Sequence, residues 1–593
     1  MSRSSHRTRL LTFIGTAVAS GIVFHLLLLG LGAVPTGGTV VEEWWGRPKP
    51  GPVDAPSPTD IVTHQPPSTG PCSTDTAHPY TRPGLGQYIT PDEDEWTLER
   101  IRTMVSKTKG YYARDYSLGL GWNNMRYIVE ASVLHAHLLN RTLVLPSFVY
   151  ARACEHNITV CAAFAIMVNR GDAIGWGEWR ELPIEKQMGW RIPIDIMLDL
   201  DHLRKDYSVI TVSEYLKLHN MDPDKEWSNG AWQREAYHDT FPKPSLAVIP
   251  NNEYDPSGVI RVDKLQPAPE QAETTIITTS LMNVLDKNSF SMRLDDAEKA
   301  LVKNGLKSWT SEKELEELLE KEGWAILHTF AGYARMDFLK STVEPLKQIT
   351  RREFLKGLVD DYDHLTEDVL LLEGETHLSR KPGALRFTTP EARAHFADLV
   401  LHSMRPIPSI LKVTDIIAER MRKVNDGRMW LAGHMRRGDF VRLGWSMEGP
   451  VEKHLERIKE HLSNGGALIR QLIKDGVHWG TYDVPNVKPD EAFGKLEPPR
   501  VDDKFYIATD ERDPEALKYI REHGAILISD LLTPEDRRLV GWPLLVTDVL
   551  ALLEQNVMSH AAYFYAHAMS SVAGGVVNLR AARGMDPRLT LID

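Results

Sequence analysis

The sequence predicts an α/β protein built as two doubly wound halves facing across a cleft, behind an apolar N-terminal segment. Three observations carry that expectation. At 593 residues the chain exceeds the ~250–300 residues at which a single core stops growing. Its C-terminal third repeats strand, helix and strand at the spacing of a parallel sheet. Its most distinctive strand, Met429-Trp-Leu-Ala-Gly-His434, runs straight into Met435-Arg436-Arg437-Gly438-Asp439-Phe440, so apolar residues deliver imidazole and guanidinium groups to one edge. In open α/β sheets ligands bind beyond the carboxyl ends of the strands, and a guanidinium fork there suits an anion such as phosphate.

Composition narrows the class. Hydrophobic residues make up 42% and charged residues 25%, as in ordinary folded proteins. A net charge of −12 argues against nucleic-acid binding, which needs a basic face. Three cysteines (Cys72, Cys154, Cys161) are too few for a disulfide framework or a four-thiolate zinc site. Cys154 and Cys161 could pair in an oxidising compartment, but spacing alone does not decide it.

In chain order, residues 1–9 carry Arg3, Arg7 and Arg9 and no acid, and residues 10–34 carry no formal charge. That run is long enough to cross a ~30 Å hydrocarbon core, and the preceding arginines should keep the N-terminus cytosolic. A cleaved signal peptide usually has only ~7–15 apolar residues. The expectation is a 1–9 cytosolic tail, a 10–34 transmembrane signal anchor and a lumenal remainder. Residues 35–110 read as a Pro-rich stem, too polar and too rich in turn formers to fold alone.

The first folded signal is Gly119-Leu120-Gly121-Trp122-Asn123-Asn124. Met125, Ile128, Val129, Val133, Ala136 and Leu139 follow at helical spacing, then Thr142-Leu-Val-Leu-Pro146 as a buried strand. Glycines at a helix start let backbone amides approach an anion, although a plain tight turn gives the same pattern. Between about 150 and 400 the sequence is harder to parse. Trp176, Trp179, Trp190, Trp227 and Trp232 read as core or loop anchors, with aromatic acceptor contacts an alternative. Ser311 to Glu322 reads as a solvated helix, and Trp324 to Phe330 as a strand. Asp199-Leu-Asp201 and Asp361-Tyr-Asp363 have the spacing of a metal-binding pair, which also arises often by chance.

From Leu401 the alternation sharpens. Ile410 to Lys423 reads as helix, Lys504 to Asp510 as strand, Asp513 to His523 as helix, Ala525 to Ser529 as strand and Leu544 to Met558 as helix. Tyr563 to Ala568 then leads to Ser570-Ser571. The strand ends would bring Arg436, Asp510 and Ser570–Ser571 to one edge. Two such halves suit a nucleotide-sugar enzyme.

The ordered blocks Gly-Leu-Gly-Trp-Asn-Asn, Leu139-Asn-Arg-Thr-Leu-Val-Leu-Pro146, His434-Met-Arg-Arg-Gly-Asp-Phe440, Tyr506-Ile-Ala-Thr-Asp-Glu511, Ser570-Ser571 and Arg580 resemble the GDP-fucose protein O-fucosyltransferase family, over roughly residues 111–590 and as a signal-anchored, fungal-type member. The resemblance implies a GT-B-like fold, with an acceptor-side Rossmann-like half over 111–405 and a nucleotide-sugar half over 406–593. It also implies an inverting, metal-independent transfer from GDP-fucose that needs no cofactor. By the resemblance Arg436 would neutralise the β-phosphate of departing GDP, and His434 would shape the same pocket. Asp510, with Thr509 beside it, would hydrogen-bond guanine or ribose, and Asp439 completes the binding turn. Ser570 and Ser571 would donate to the pyrophosphate. Gly119 and Gly121 would admit the donor, and Asn123 or Asn124 would reach the fucose, with spacing to Asn140 favouring Asn124. Two positions depart from relatives: Leu120 stands where some carry a catalytic Glu, and Val572 where many carry an aromatic that stacks on guanine.

Each residue also has a structural reading. His434 could be a core histidine, Asp510 a helix cap, and the serines simple N-caps. Two glycosylation sequons occur; Asn157 should lie in a loop and carry a glycan, whereas Asn140 should be hidden. The expected setting is the Golgi membrane as a single-pass type II protein, with the endoplasmic reticulum as the alternative. Competing readings are a catalytically silent glycan- or glycoprotein-binding module of the same fold, or a metal-dependent transferase using Asp361 and Asp363.

Overall fold

The computed structural model describes residues 96–593 apart from 176, 241, 268–274, 288, 332–340, 375–384 and 447. The apolar 10–34 segment, the arginine-bearing tail and Trp176 lie outside the described residues. Among the described residues no helix is long and apolar enough to cross a membrane. The expected stem boundary at 110 moves earlier. Leu98–Val105 is a helix capped by Thr97, and its Ile101 is buried with Tyr111 and Tyr215.

Two five-stranded parallel sheets organise the rest. In the first, β1 (Tyr111–Arg114), β2 (Thr142–Leu145), β3 (Val209–Thr211), β4 (Leu246–Ile249) and β5 (Val369–Leu372) lie in the order β3-β2-β1-β5-β4. In the second, β6 (Leu431–Met435), β7 (Phe505–Thr509), β8 (Ala525–Ile526), β9 (Tyr563–Ala566) and β10 (Thr590–Ile592) lie in the order β8-β7-β6-β9-β10. The order reverses beside β1 in one sheet and beside β6 in the other. Such a reversal opens a crevice at the carboxyl edge.

The apolar runs become central strands because both faces are covered. Helix α1 (Trp122–Leu138), α2 (Pro408–Val424), α6 (Thr547–Ser559) and α7 (Ser571–Ala582) share one core. Met125, Ile128, Val413, Ile417, Leu553 and Val576 meet within it, so the two sheets are joined by continuous apolar packing. On the other face of the second sheet, α4 (Val451–Lys474) buries Leu455, Ile458 and Leu462 against Met435 and Ile507. Helix α3 (Gly438–Leu443) follows β6, and α5 (Pro514–Glu522) starts at its cap Asp513. Arg580 is fully buried; it donates to the carbonyls of Ala561, Ala562 and Leu589 and to Thr590 Oγ1, tying the start of β9 to β10.

The 145–390 region holds three smaller sheets. One is antiparallel, Phe148–Ala151, Met188–Pro193 and Ile166–Asn169. A second joins Met292–Arg293, Trp324–Phe330 and Pro345–Arg351, and a third joins Ile260–Val262, Leu355–Gly357 and Leu385–Arg386. Trp190 and Trp232 are core residues and Trp227 is exposed. Trp179 stacks under the Arg170 guanidinium at 3.7 Å. The strand expected over Ala525–Ser529 ends at Ile526, because Ile528–Leu531 coils into a helical turn held by Asp530. Cys154 and Cys161 form a disulfide.

Candidate functional site

The site begins where β6 ends. In the β6–β7 register Met435 lies opposite Thr509, so the next residues of the two strands, Arg436 and Asp510, emerge side by side. Arg436 Nη1 donates to Asp510 Oδ2 at 2.5 Å, and the other carboxylate oxygen accepts from the Arg437 backbone N–H at 2.7 Å. The contact needs Gly438: a Cβ there would stand 2.2 Å from Asp510 Oδ2. Phe440 lies under the Arg436 guanidinium at 5.2 Å, and Asp439 is the second residue of α3. Asp510, expected to meet a nucleotide directly, here engages the arginine turn, because register places it against the nearest cation. Thr509 braces the strand end, donating to the Met435 carbonyl and accepting from the Glu511 N–H.

Arg437 points the other way. It is 8% exposed, pairs with Glu511 at 2.8 Å and donates to the Gly449 carbonyl. His434, His454 and His567 gather behind it. Burial, and then the neighbouring Arg436, pushes the His434 imidazole down to about 3, and burial pushes His454 down to about 4. Both are neutral near pH 7, so the fixed positive charge of the turn comes from its arginines. The Nδ1 atoms of His434 and His454 have no hydrogen-bond partner among the described residues.

Ser570 is the N-cap residue of α7 and is 3% exposed. Its side chain makes no cap bond, so the first N–H groups of α7 are not closed off by it. The turn Gly119–Gly121 follows β1 and opens α1 in the same manner, with Gly121 at the N-cap and no side-chain cap. The Gly119 carbonyl accepts from Arg152 at 2.7 Å, and Leu120 is buried. The two helix starts meet. Tyr127 Oη donates to the Ser571 carbonyl at 2.9 Å, and Gln555 Nε2 donates to both Asn123 Oδ1 (3.1 Å) and the Val572 carbonyl (3.0 Å). Asn124, whose backbone N–H donates to the Gly121 carbonyl, is half-buried in the same first turn.

The structure therefore gathers the predicted residues into two adjoining clusters: Arg436, Asp510, Thr509 and His434 around the β6 end, and Gly119, Gly121, Asn123, Asn124, Ser570 and Ser571 around the two helix starts. Two positive helix ends beside a guanidinium form a place for an anion. Sequence reasoning missed Tyr127, Gln555 and Glu554. Glu554 accepts from Tyr506 Oη, and burial, with Glu155 and Asp510 nearby, pushes its carboxyl up to about 8. The available signal was the polar run Glu554-Gln555-Asn556 inside the largely apolar segment Leu544 to Met558.

Other predicted positions have structural partners. Asp361 pairs with Arg261 and Asp363 with Lys109, while Asp199 caps the Leu200–Leu203 turn and pairs with Arg405. Asn157 is exposed and caps the helix Ile158–Ala162. Asn140, expected to be hidden, is exposed too. It ends α1 with φ at +50°, a conformation asparagine tolerates, and this turns its side chain outward while Thr142 stays buried.

The sequence matches the family of GDP-fucose protein O-fucosyltransferases over residues 119–583. It is similar to the crystal structure of POFUT1 in complex with GDP (high-resolution dataset), at 12% identity and a TM-score of 0.30, covering 82% of this chain and 98% of that one. The same identity, coverage and TM-score hold for POFUT1 in complex with GDP-fucose (crystal form I). The apo form (crystal form I) is 11% identical, with a TM-score of 0.29 and the same coverage. Among curated proteins none matches this chain.

Proposed function

The chain belongs to the GDP-fucose protein O-fucosyltransferase family and is a glycosyltransferase that moves fucose from GDP-fucose; we propose that it delivers the sugar to a hydroxyl of a protein or glycan acceptor, with inversion and without a metal ion or cofactor. The observation that carries this reading is the Arg436 turn at the end of β6, next to β9 in the sheet, with the uncapped start of α7 that follows β9 tied to the uncapped start of α1. In the transfer an acceptor hydroxyl oxygen bonds to the anomeric carbon as the bond to the β-phosphate breaks, GDP leaves with the electron pair, and the hydroxyl proton passes to the departing phosphate or to water. Arg436 is suited to the charge that grows on that phosphate, the electrostatic contribution expected to dominate. Asp510 holds the guanidinium in register. Ser570, Ser571 and the first N–H groups of α7 offer donors to the pyrophosphate, while neutral His434, Thr509 and Asp439 shape the turn. Gly119 and Gly121 allow close approach, and Asn123 and Asn124 face the sugar from the other half. Leu120 supplies no carboxylate, so no base comes from that segment.

The proposed setting is the Golgi or endoplasmic reticulum lumen, anchored through residues 10–34. The Cys154–Cys161 disulfide supports an oxidising compartment, and exposed Asn157 is the proposed glycan site. The test is calorimetry on the full chain in detergent with GDP, GDP-fucose, GDP-mannose and UDP-sugars, with and without EDTA. Binding of GDP-fucose that survives EDTA and is lost in Arg436→Ala supports the reading. Binding of UDP-sugars that requires metal would replace it with a metal-dependent transferase, and no nucleotide binding at all with a silent module.

A further inference from the structure

Gln555 stands in the polar run Glu554-Gln555-Asn556 of α6 and is fully buried. A buried amide costs stability unless its polar atoms are paired, so packing alone favours a leucine or methionine there. Instead the chain gives Gln555 dedicated space. A Cβ on Gly575 would stand 1.9 Å from Gln555 Nε2, so the amide keeps this position only while glycine faces it.

The orientation of the amide follows from its partners. Asn123 Oδ1 and the Val572 carbonyl both face one terminal atom of Gln555, and only its –NH2 can donate to two acceptors. Gln555 Oε1 is buried with no partner among the described residues. The side chain of Asn123 is therefore held with its oxygen against Gln555 and its own –NH2 turned away. Tyr127, one turn further along α1, donates to the carbonyl of Ser571. The first two turns of α1 and the first turn of α7 are thus tied at two neighbouring points, one donor coming from each side of the junction between the two sheets.

We propose that Gln555 is a positioning residue for fucose transfer: it fixes the start of α1, with Asn123 and Asn124, against the start of α7 and so sets the gap across which the sugar passes. The assignment rests on the functional reading above. Gln555 touches no substrate in this role. The nucleotide would sit on the second sheet, so losing the tie should leave donor binding nearly intact and slow turnover, where alignment across the gap matters most.

The test uses the full chain and GDP-fucose, following GDP release with water as the acceptor, and GDP binding by calorimetry. Gln555→Met keeps the volume and removes the donor. It should lower kcat at least tenfold with KM and GDP affinity within about threefold, and Gly575→Ala should do the same from the other side of the contact. In an Asn123→Ala background the Gln555→Met loss should largely disappear. Hydrogen exchange should accelerate at residues 121–127 and 571–575 and not at 590–592. Unchanged kcat in folded Gln555→Met, a fully additive double variant, or exchange rising equally everywhere would each overturn the proposal. A wild-type chain that neither binds GDP nor releases it from GDP-fucose would overturn the functional reading instead, which the binding measurement detects independently.

Discussion

The turns that follow β1 and β6 occupy the same place in their sheets, beside the point where strand order reverses, yet they are built on opposite principles. The β6 turn is self-contained. Its charged group, Arg436, finds its carboxylate on the adjacent strand of the same sheet, and its geometry depends on Gly438. The Gly119–Gly121 turn beyond β1 carries no charge, the Asp115 that precedes it being taken up by the backbone N–H groups of Trp232 and Gly374. It is held from outside, by Arg152 on Gly119 and Gln555 on Asn123, while Tyr127 of α1 itself reaches out to the Ser571 carbonyl. A charged turn in a parallel sheet can be specified locally through register, whereas a neutral glycine turn takes its shape from whatever packs on it.

The sharpest test of this contrast is Arg436→Lys. It keeps the charge and removes the planar fork, so turnover of GDP-fucose should fall by about 10²–10³-fold, as when one preorganised transition-state donor is lost. Near-normal kcat would mean that a point charge suffices and that the fork geometry is irrelevant. Gly438→Ala comes next. The added Cβ would collide with Asp510, and overpacking of this kind costs about 1–3 kcal/mol. Denaturant melting should show that loss, together with reduced turnover as Asp510 leaves Arg436.

Part of the acid sensitivity should sit behind the β6 turn, alongside that of His328 and His560, whose imidazoles burial also pushes down to about 4 and about 3. His454 faces Arg437, Arg457, His567 and Glu448, and its folded pKa of about 4 lies below the ~6.5 of an unfolded histidine. Below pH 6.5 the unfolded chain takes up a proton that the folded chain refuses. The stability is therefore complete above about 6.5 and is lost as pH falls towards 4, by at most ~1.4 kcal/mol per pH unit for each such histidine. Urea midpoints at pH 7 and pH 5 should differ less in His454→Gln than in the parent, and an equal difference would remove His454 from the account. The smallest effect belongs to the β1 turn. Gly121 has φ −69°, and a Cβ there would find nothing nearer than 3.7 Å. Gly121→Ala should cost less than about 1 kcal/mol, the loss of a preferred N-cap residue. A penalty matching that of Gly438→Ala would erase the distinction between the two turns.

Residue pattern was informative wherever an element's environment is set by its own periodicity. Trp324–Phe330, Phe505–Thr509, Pro514–Glu522 and Pro408–Val424 all lie at or within a residue or two of the expected spans, because apolar spacing reports burial directly. Most of the 145–390 region resisted, Trp324–Phe330 excepted, since many of its strands are only two to four residues long and some are exposed; Ile166–Asn169, for instance, has no buried position. Ala525–Ser529 misled for a different reason. The run is apolar enough for a strand, but the Asp530 side chain closes a helical turn on the Leu527 N–H, and a local polar contact of that kind overrides periodicity.

By itself the sequence determined the α/β class, the parallel second sheet, the arginine-bearing strand end and the family motifs in their order, since each is written in local pattern and spacing. Only the tertiary structure decided which carboxylate Arg436 meets, that Cys154 and Cys161 join, that Asn140 is exposed, and that Gln555 and Tyr127 tie two helix starts together. Gln555 and Asn123 stand 432 residues apart in the chain. Such contacts depend on how the two sheets pack, and a single residue's neighbours in sequence hold no record of its partners across a core.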